Sequence, residues 1–311
     1  MCEIGFLIGT PRCGKSRAFD VIASHNKVAW ISHHQNFLTK IPLISFYNRI
    51  YDIPSLGFKL YPFSKSLRRI LPHPAETNNF WRTHLSEFEN MKENESANPE
   101  KCFPSTFKNK EDISREEVKK IQKMVKRICR WQSKEYFLAE YSKWPRMTYF
   151  SEPFPNSKFV HLIRDGRAVA HDYCRKIKEG DYVEWEEKEW WVNGWPEEWK
   201  EDFLKDYNSV LAFCAYQWKF FIKLIREDAE RISNDRYMET SYEVLAKQPK
   251  ETFSKILDFY NLEFDNHIRQ YLKPKNFKNM NFEWKEELSK DQKRQLDEII
   301  HEPEYVELLE E

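Results

Sequence analysis

The eight residues Gly9 to Ser16, GTPRCGKS, restrict the fold of this chain more than any others. An apolar run, Ile4 to Ile8, precedes them, and a helical pattern to about Ser24 follows. Strand, glycine-bearing turn and helix start in that order build a phosphate-binding loop. N–H groups in the turn and at the helix N-terminus point at a ligand, and the helix dipole favours negative charge there. Gly9 and Gly14 let the backbone bend and come close to an anion. Arg12 and Lys15 add full charges, and Ser16 adds a hydroxyl. The spacing satisfies the nucleotide-binding pattern G-x-x-x-x-G-K-S. The competing reading is a chance match in an ordinary strand–turn–helix, which the flanking strand and helix patterns disfavour.

The rest of the chain extends this beginning into an α/β fold. Residues 3–9 predict a first strand, 15–25 its helix and 27–32 a second strand. From 33 to 112 the pattern is irregular, with a helix predicted over 78–92 and a polar loop over 93–109. Residues 113–131 predict an amphipathic helix, with Val118, Ile121, Val125 and Ile128 on one face. Short strands follow at 136–141, 158–164 and 236–241, and helices at 167–178, 204–229, 249–260 and 288–300. Strands alternating with helices imply a doubly wound, mostly parallel sheet flanked by helices. A length of 311 residues without a Gly/Ser- or Pro-rich linker predicts a single domain over 1–311. Five of the eleven tryptophans fall between Trp185 and Trp199. They offer flat faces for an acceptor pocket or, equally, packing under a long loop.

Lysine plus arginine equals aspartate plus glutamate, at 50 each, which argues against a general nucleic-acid or membrane-surface binder. The six cysteines are scattered and form no C-x-x-C pair, so reduced thiols in the cytoplasm are expected. The first strand begins almost at Met1, which predicts no signal peptide, and no apolar run reaches the length of a membrane helix.

A second informative segment is KFVHLIRDGRAVAHDYCR, Lys158 to Arg175. An apolar strand ends in Arg164, Asp165, Gly166 and Arg167, and a helix follows. Ligands of open α/β sheets sit beyond the carboxyl ends of the strands. Arg164 and Arg167 are therefore expected on the same rim as Gly9 to Ser16, a layout that suits a ligand with phosphates at both ends. Taken alone, Arg164 and Asp165 read as ordinary surface chemistry.

Together the two segments resemble the sulfotransferases that use 3′-phosphoadenosine 5′-phosphosulfate (PAPS). GTPRCGKS is similar to that family's 5′-phosphosulfate loop, G-x-P-R-S-G-T-S. FVHLIRDGRAVA is similar to its 3′-phosphate strand, F-I-H-L-x-R-D-x-R-A-V-A. The likeness continues through residues 135–159, through Tyr242, Glu243, Leu245 and Pro249, and at Trp284 and Leu288, and is least clear over 33–112. The resemblance implies a sulfotransferase fold in which Pro11, Arg12, Cys13, Gly14, Lys15, Ser16, Arg17, Arg164, Asp172 and Tyr242 surround the donor. It implies PAPS as donor, 3′,5′-bisphosphoadenosine (PAP) as product, and no required metal. The acceptor is a hydroxyl or amine of a small molecule, carbohydrate or lipid. Segments 33–112 and 181–200 read as insertions on the acceptor side.

Sulfuryl transfer, like phosphoryl transfer, is mostly positioning and charge stabilisation. Arg12 and Lys15 are the catalytic cations by position. A base must take the acceptor proton. His33, with His34 beside it, and Glu76 are the candidates, each also readable as a structural polar residue. The resemblance breaks at three positions. Asp172 stands where relatives have a phosphate-binding serine, and needs a cation from Arg167, Arg175 or Lys176. Gly14-Lys15 replaces Gly-Thr, and Glu140 replaces a lysine frequent before W-P-R. Two rival functions remain open: a P-loop kinase using ATP and magnesium, and a non-catalytic nucleotide-binding relative.

Overall fold

The computed structural model describes residues 2–53, 70–85, 109–142, 144–182, 184–273 and 277–300. Its frame is a sheet of five parallel strands in the order β2-β3-β1-β4-β5. They are β1 (Glu3–Gly9), β2 (Val28–Trp30), β3 (Tyr136–Ser142), β4 (Lys158–Ile163) and β5 (Tyr237–Ser241). β1 lies at the centre, and from Ile4 to Gly9 every residue is buried. This is what a parallel sheet covered on both faces demands, and it explains the unbroken apolar run. Successive side chains of β1 leave on opposite faces. Phe6 and Ile8 join a cluster roofed by α2 (Arg115–Gln132), whereas Leu7 joins one roofed by α1 (Lys15–Ala23) and α5 (Pro249–Phe259). Phe6 stacks on Phe150 at 4.5 Å and on Phe159 at 4.9 Å, a burial that contributes about 2–3 kcal/mol.

A third cluster surrounds α4 (Val210–Ala229), which packs against α3 (Gly166–Lys178) and α6 (Lys290–Ile300). The tryptophan-rich stretch belongs here. Trp190, Trp191 and Trp195 are buried in this cluster, and Trp185 and Trp199 pack against it. None of the five lines the cavity described below. The packing alternative therefore holds for these side chains. Gly166 opens α3 where a Cβ would come within 2.6 Å of the Trp218 ring, so the absence of a side chain lets α3 approach α4.

Several element ends differ from the sequence expectation, each for a local reason. α2 starts at Arg115 because Ser114 caps it, its hydroxyl accepting from the Glu117 N–H while the Glu117 carboxylate returns to the Ser114 N–H. The predicted helix over 204–229 is divided: a π turn spans Phe203–Tyr207, and α4 begins only after Ser209, whose hydroxyl accepts from the Ala212 N–H. The tail forms two pieces, Glu283–Glu287 and α6, parted at Ser289, whose hydroxyl accepts from the Gln292 N–H. The helix predicted over 78–92 is seen as Asn78–His84; residues 86–92 and most of the predicted loop over 93–109 lie outside the described residues.

Register sets the position of the site. Ile8 pairs with Tyr141 on one side and His161 on the other, so β3, β1 and β4 end at one edge. The Gly9–Ser16 loop, Ser142 and Arg164 all emerge there.

Candidate active site

The loop after β1 departs from ordinary backbone at three places. Gly9 has φ 150°, and a Cβ there would sit 2.5 Å from the Leu162 carbonyl oxygen. Gly14 has φ 93° and caps α1, and a Cβ would meet the Tyr242 ring at 2.8 Å. Both positions require glycine. Arg12 also lies in the left-handed region, at φ 65°, where a side chain costs roughly 1–2 kcal/mol. The turn is braced from within and without. Lys15, only 4% exposed, directs its ammonium onto the carbonyl oxygens of Thr10 at 2.7 Å and Gly9 at 3.1 Å. Arg164 Nη1 donates to the Arg12 carbonyl oxygen at 2.9 Å. The two segments that stood out in the sequence thus touch.

Arg164 is held on every side. Nε donates to Asn281 Oδ1 and Nη1 to Asp172 Oδ2, both at 2.9 Å, and the guanidinium lies over the Tyr242 ring at 4.8 Å. Tyr242 in turn donates its hydroxyl to the Lys278 carbonyl oxygen, and Asn281 donates to Glu243, which also accepts from the Asp165 N–H. The segment from 278 to 283 is thereby fastened over the site. Asp172 gathers cations: Arg175 Nη2 lies 2.7 Å from Oδ1, and Arg12 Nη2 lies 3.9 Å from Oδ2.

These groups surround a cavity of about 480 Å³. Ten of the twelve donor-binding and catalytic candidates line it. Pro11, Arg12, Gly14, Lys15, Ser16 and Arg17 come from the loop and the start of α1. Glu76, Arg164, Asp172 and Tyr242 come from elsewhere. Two do not line it. Cys13 is fully buried beneath the loop, its sulfur 3.6 Å from the Lys15 ammonium. His33 points into a histidine stack, with ring centres 3.8 Å from His73 and 3.7 Å from His34. Burial, together with His73 and His34, lowers its pKa to about 4. Arg167 also departs from expectation. It turns away to Asp165 and Asp297 and covers the Trp284 ring at 4.9 Å. Lys176 pairs with Glu179 and Asp181, so of the three cations expected for Asp172 only Arg175 reaches it.

The lining also includes residues outside those twelve candidates. Glu140, from the inner part of β3, is only 4% exposed and accepts the Ser16 hydroxyl at 2.9 Å. Burial raises its pKa to about 7; Glu76 adds to the rise, while Lys15 and the Ser16 hydroxyl oppose it. Glu76 Oε1 is buried without a hydrogen-bond partner, and so is Arg12 Nε. Unpaired buried polar atoms at a cavity wall fit a polar ligand, because each carries a desolvation cost that a ligand relieves. Arg175 was legible as the i+3 partner of Asp172. Met280 and Glu283 had no local signal, since only the tertiary fold brings them to the wall.

The Sulfotransferase family model matches residues 6–266. The chain belongs to the sulfotransferase family. It is 29% identical over 122 residues to a protein-tyrosine sulfotransferase of Drosophila melanogaster, covering 39% of this chain and 20% of that one. Protein-tyrosine sulfotransferase A of Caenorhabditis elegans is 23% identical over 121 residues, covering 39% and 26%. The chain therefore aligns with only about a fifth to a quarter of the length of these curated relatives. Among solved structures, the sulfotransferase STF9 of Mycobacterium avium aligns over 100% of this chain and 78% of its own, at 12% identity and a TM-score of 0.53, a likeness of fold. Two local features also oppose the kinase reading of the loop. Ser16 gives its hydroxyl to Glu140, and Asp165 caps α3 and pairs with Arg167. No helix among the described residues is long and apolar enough to cross a membrane.

Proposed function

We propose that this protein transfers a sulfuryl group from a nucleotide 5′-phosphosulfate, of which PAPS is the donor implied by its sequence motifs, to a hydroxyl or amine. The observation that carries the reading is the join between the two motifs. Arg164 reaches the strained Arg12 turn, and both guanidinium groups meet Lys15 at one cavity. The N-terminus of α1 and the unpaired Arg12 Nε are suited to a phosphosulfate.

The donor supplies a sulfuryl group with a phosphate leaving group; the chain supplies position and charge. Arg12 and Lys15 offset the negative charge that grows on the leaving oxygen. Glu76 takes the acceptor proton, a role favoured over His33 by its place in the cavity wall and its unpaired oxygen. Acceptors of this chemistry include a small-molecule, carbohydrate or lipid hydroxyl. A tyrosyl hydroxyl, named for the two animal relatives, belongs to the same class. The described cysteines are unpaired thiols, which supports a reducing compartment such as the cytoplasm.

The test is transfer of labelled sulfate from donor to a panel of hydroxyl acceptors in the presence of a chelator, with wild type and Arg12→Ala. Metal-independent turnover is expected. Arg12→Ala should lower kcat by about two orders of magnitude or more, with donor binding nearly kept. Phosphoryl transfer from magnesium-ATP would replace this reading with the kinase, and nucleotide binding without turnover would replace it with a non-catalytic relative.

A further inference from the structure

Asp172 is the least expected charge in the cavity. Its carboxylate is 7% exposed and engages three guanidinium groups, those of Arg164, Arg175 and Arg12. Glu76, Glu140 and Glu283 also face the space, so the wall carries four carboxylates against five cations. A cavity so nearly balanced is a poor host for a ligand with a phosphate at each end. A phosphate monoester adds roughly two negative charges and three acceptor oxygens. Bound at Arg164 and Arg175, it would lie against the Asp172 carboxylate, a like-charge contact. It would also compete for donors that Asp172 already holds. Arg164 has few to spare, since Nε serves Asn281 and Nη1 serves both Arg12 and Asp172.

A carboxylate in that place suits a ribose with free hydroxyls instead. In dinucleotide-binding folds an acidic side chain accepts from the ribose hydroxyl, whereas an arginine accommodates a ribose phosphate. Here the acid pairs with the arginines and offsets the charge they would otherwise offer to a phosphate.

We propose that Asp172 is a specificity-determining residue that selects a ribose 3′-hydroxyl over a 3′-phosphate, so that this site takes an adenylate with a single anionic end, held by Gly9–Ser16. The inference rests on the reading of the cavity as a sulfuryl-donor site. The donor is then adenosine 5′-phosphosulfate and the product adenosine 5′-phosphate. The acceptor oxygen forms its bond to sulfur while the bond from sulfur to the bridging oxygen breaks. The electron pair of that bond stays on the leaving phosphate, and the acceptor proton passes to the base.

Calorimetric titration of adenosine 5′-phosphate and of 3′,5′-bisphosphoadenosine into wild type, Asp172→Ser and Asp172→Asn tests this. Wild type should bind the monophosphate at least as tightly as the bisphosphate. Each substitution should move the ratio of the two affinities toward the bisphosphate by about tenfold or more. The isosteric Asn variant keeps the test available if the Ser variant does not fold. A wild type that prefers the bisphosphate by about tenfold, or a ratio that neither substitution moves, overturns the proposal. Binding of neither nucleotide to wild type would instead overturn the donor-site reading, and the inference with it.

Discussion

Glu140 gives the cavity a pH dependence whose sign and size follow from its surroundings. In the unfolded chain its carboxyl titrates near 4.5, and in the folded protein burial raises it to about 7. Below 4.5 both states carry the proton. Between the two values the unfolded state releases it while the folded state keeps it, so stability falls as pH rises through this window. Above about 7 both states are ionised and the cost is fully developed. The separation corresponds to about 3 kcal/mol. Glu140→Gln copies the protonated acid in shape, and its carbonyl oxygen can still accept the Ser16 hydroxyl. It should therefore match wild type at about pH 4.5 and exceed it at about pH 9 by up to about 3 kcal/mol. Unfolding entropy of about 2 cal/mol/K per residue turns that into a Tm higher by about 5 °C. Calorimetric scans of both proteins across the window measure the difference directly, and groups that titrate alike in the two proteins cancel. A gap that does not change with pH, or a variant less stable than wild type at high pH, would refute the account of Glu140 as a buried acid ionised at a cost.

Two further outcomes are expected. Glu76→Gln should lower kcat by about a hundredfold or more, as removal of a general base does, whereas His33→Ala, in a stack away from the cavity wall, should leave kcat within about threefold; steady-state kinetics with equal loss in both variants would contradict the assignment. Gly166→Ala places a methyl against the Trp218 ring and should lower stability by about 1–3 kcal/mol, read as a lower denaturation midpoint; an unchanged or higher midpoint would mean that α3 shifts freely away from α4.

Much of the frame was legible because it rests on local signals. The apolar run of β1, the glycines at positions needing positive φ and the strand ending at Arg164 each constrain the chain over a few residues. Period and turn chemistry are therefore enough to place them. The element ends were less legible because single capping serines decide them. Ser209 interrupts a helix that apolar periodicity alone would have continued, and Ser289 starts α6 at Lys290 rather than at Leu288. The tryptophans could not be assigned from sequence, since a ring that lines a pocket and a ring that fills a core have the same pattern. Only the packing of Trp190, Trp191 and Trp195 around α4 distinguishes the two.

The site itself divides along the same line. Apart from Asp172, which lies within α3, the donor-side residues are consecutive or follow the end of a strand, and ten of twelve candidates meet at one cavity. His33 was a reasonable candidate from its position after β2, but Ser32 caps a helical turn there and the imidazole turns into the stack with His73. The two carboxylates that broke the sequence pattern, Asp172 and Glu140, are the ones whose meaning the fold supplies. Each meets a residue of the phosphate-binding loop: Asp172 lies near Arg12, and Glu140 takes the Ser16 hydroxyl. A buried acid against such a loop is costly unless cations or protons compensate it. Asp172 is compensated by arginines, whereas Glu140 has only Lys15 and the Ser16 hydroxyl and so moves toward the protonated form. The same substitution type thus has two physical consequences in one cavity. Asp172 is tied into ion pairs with the arginines that a ligand anion would need, and at Glu140 burial raises the pKa to about 7. A ligand that carries its charge at the loop, and little beyond it, fits both.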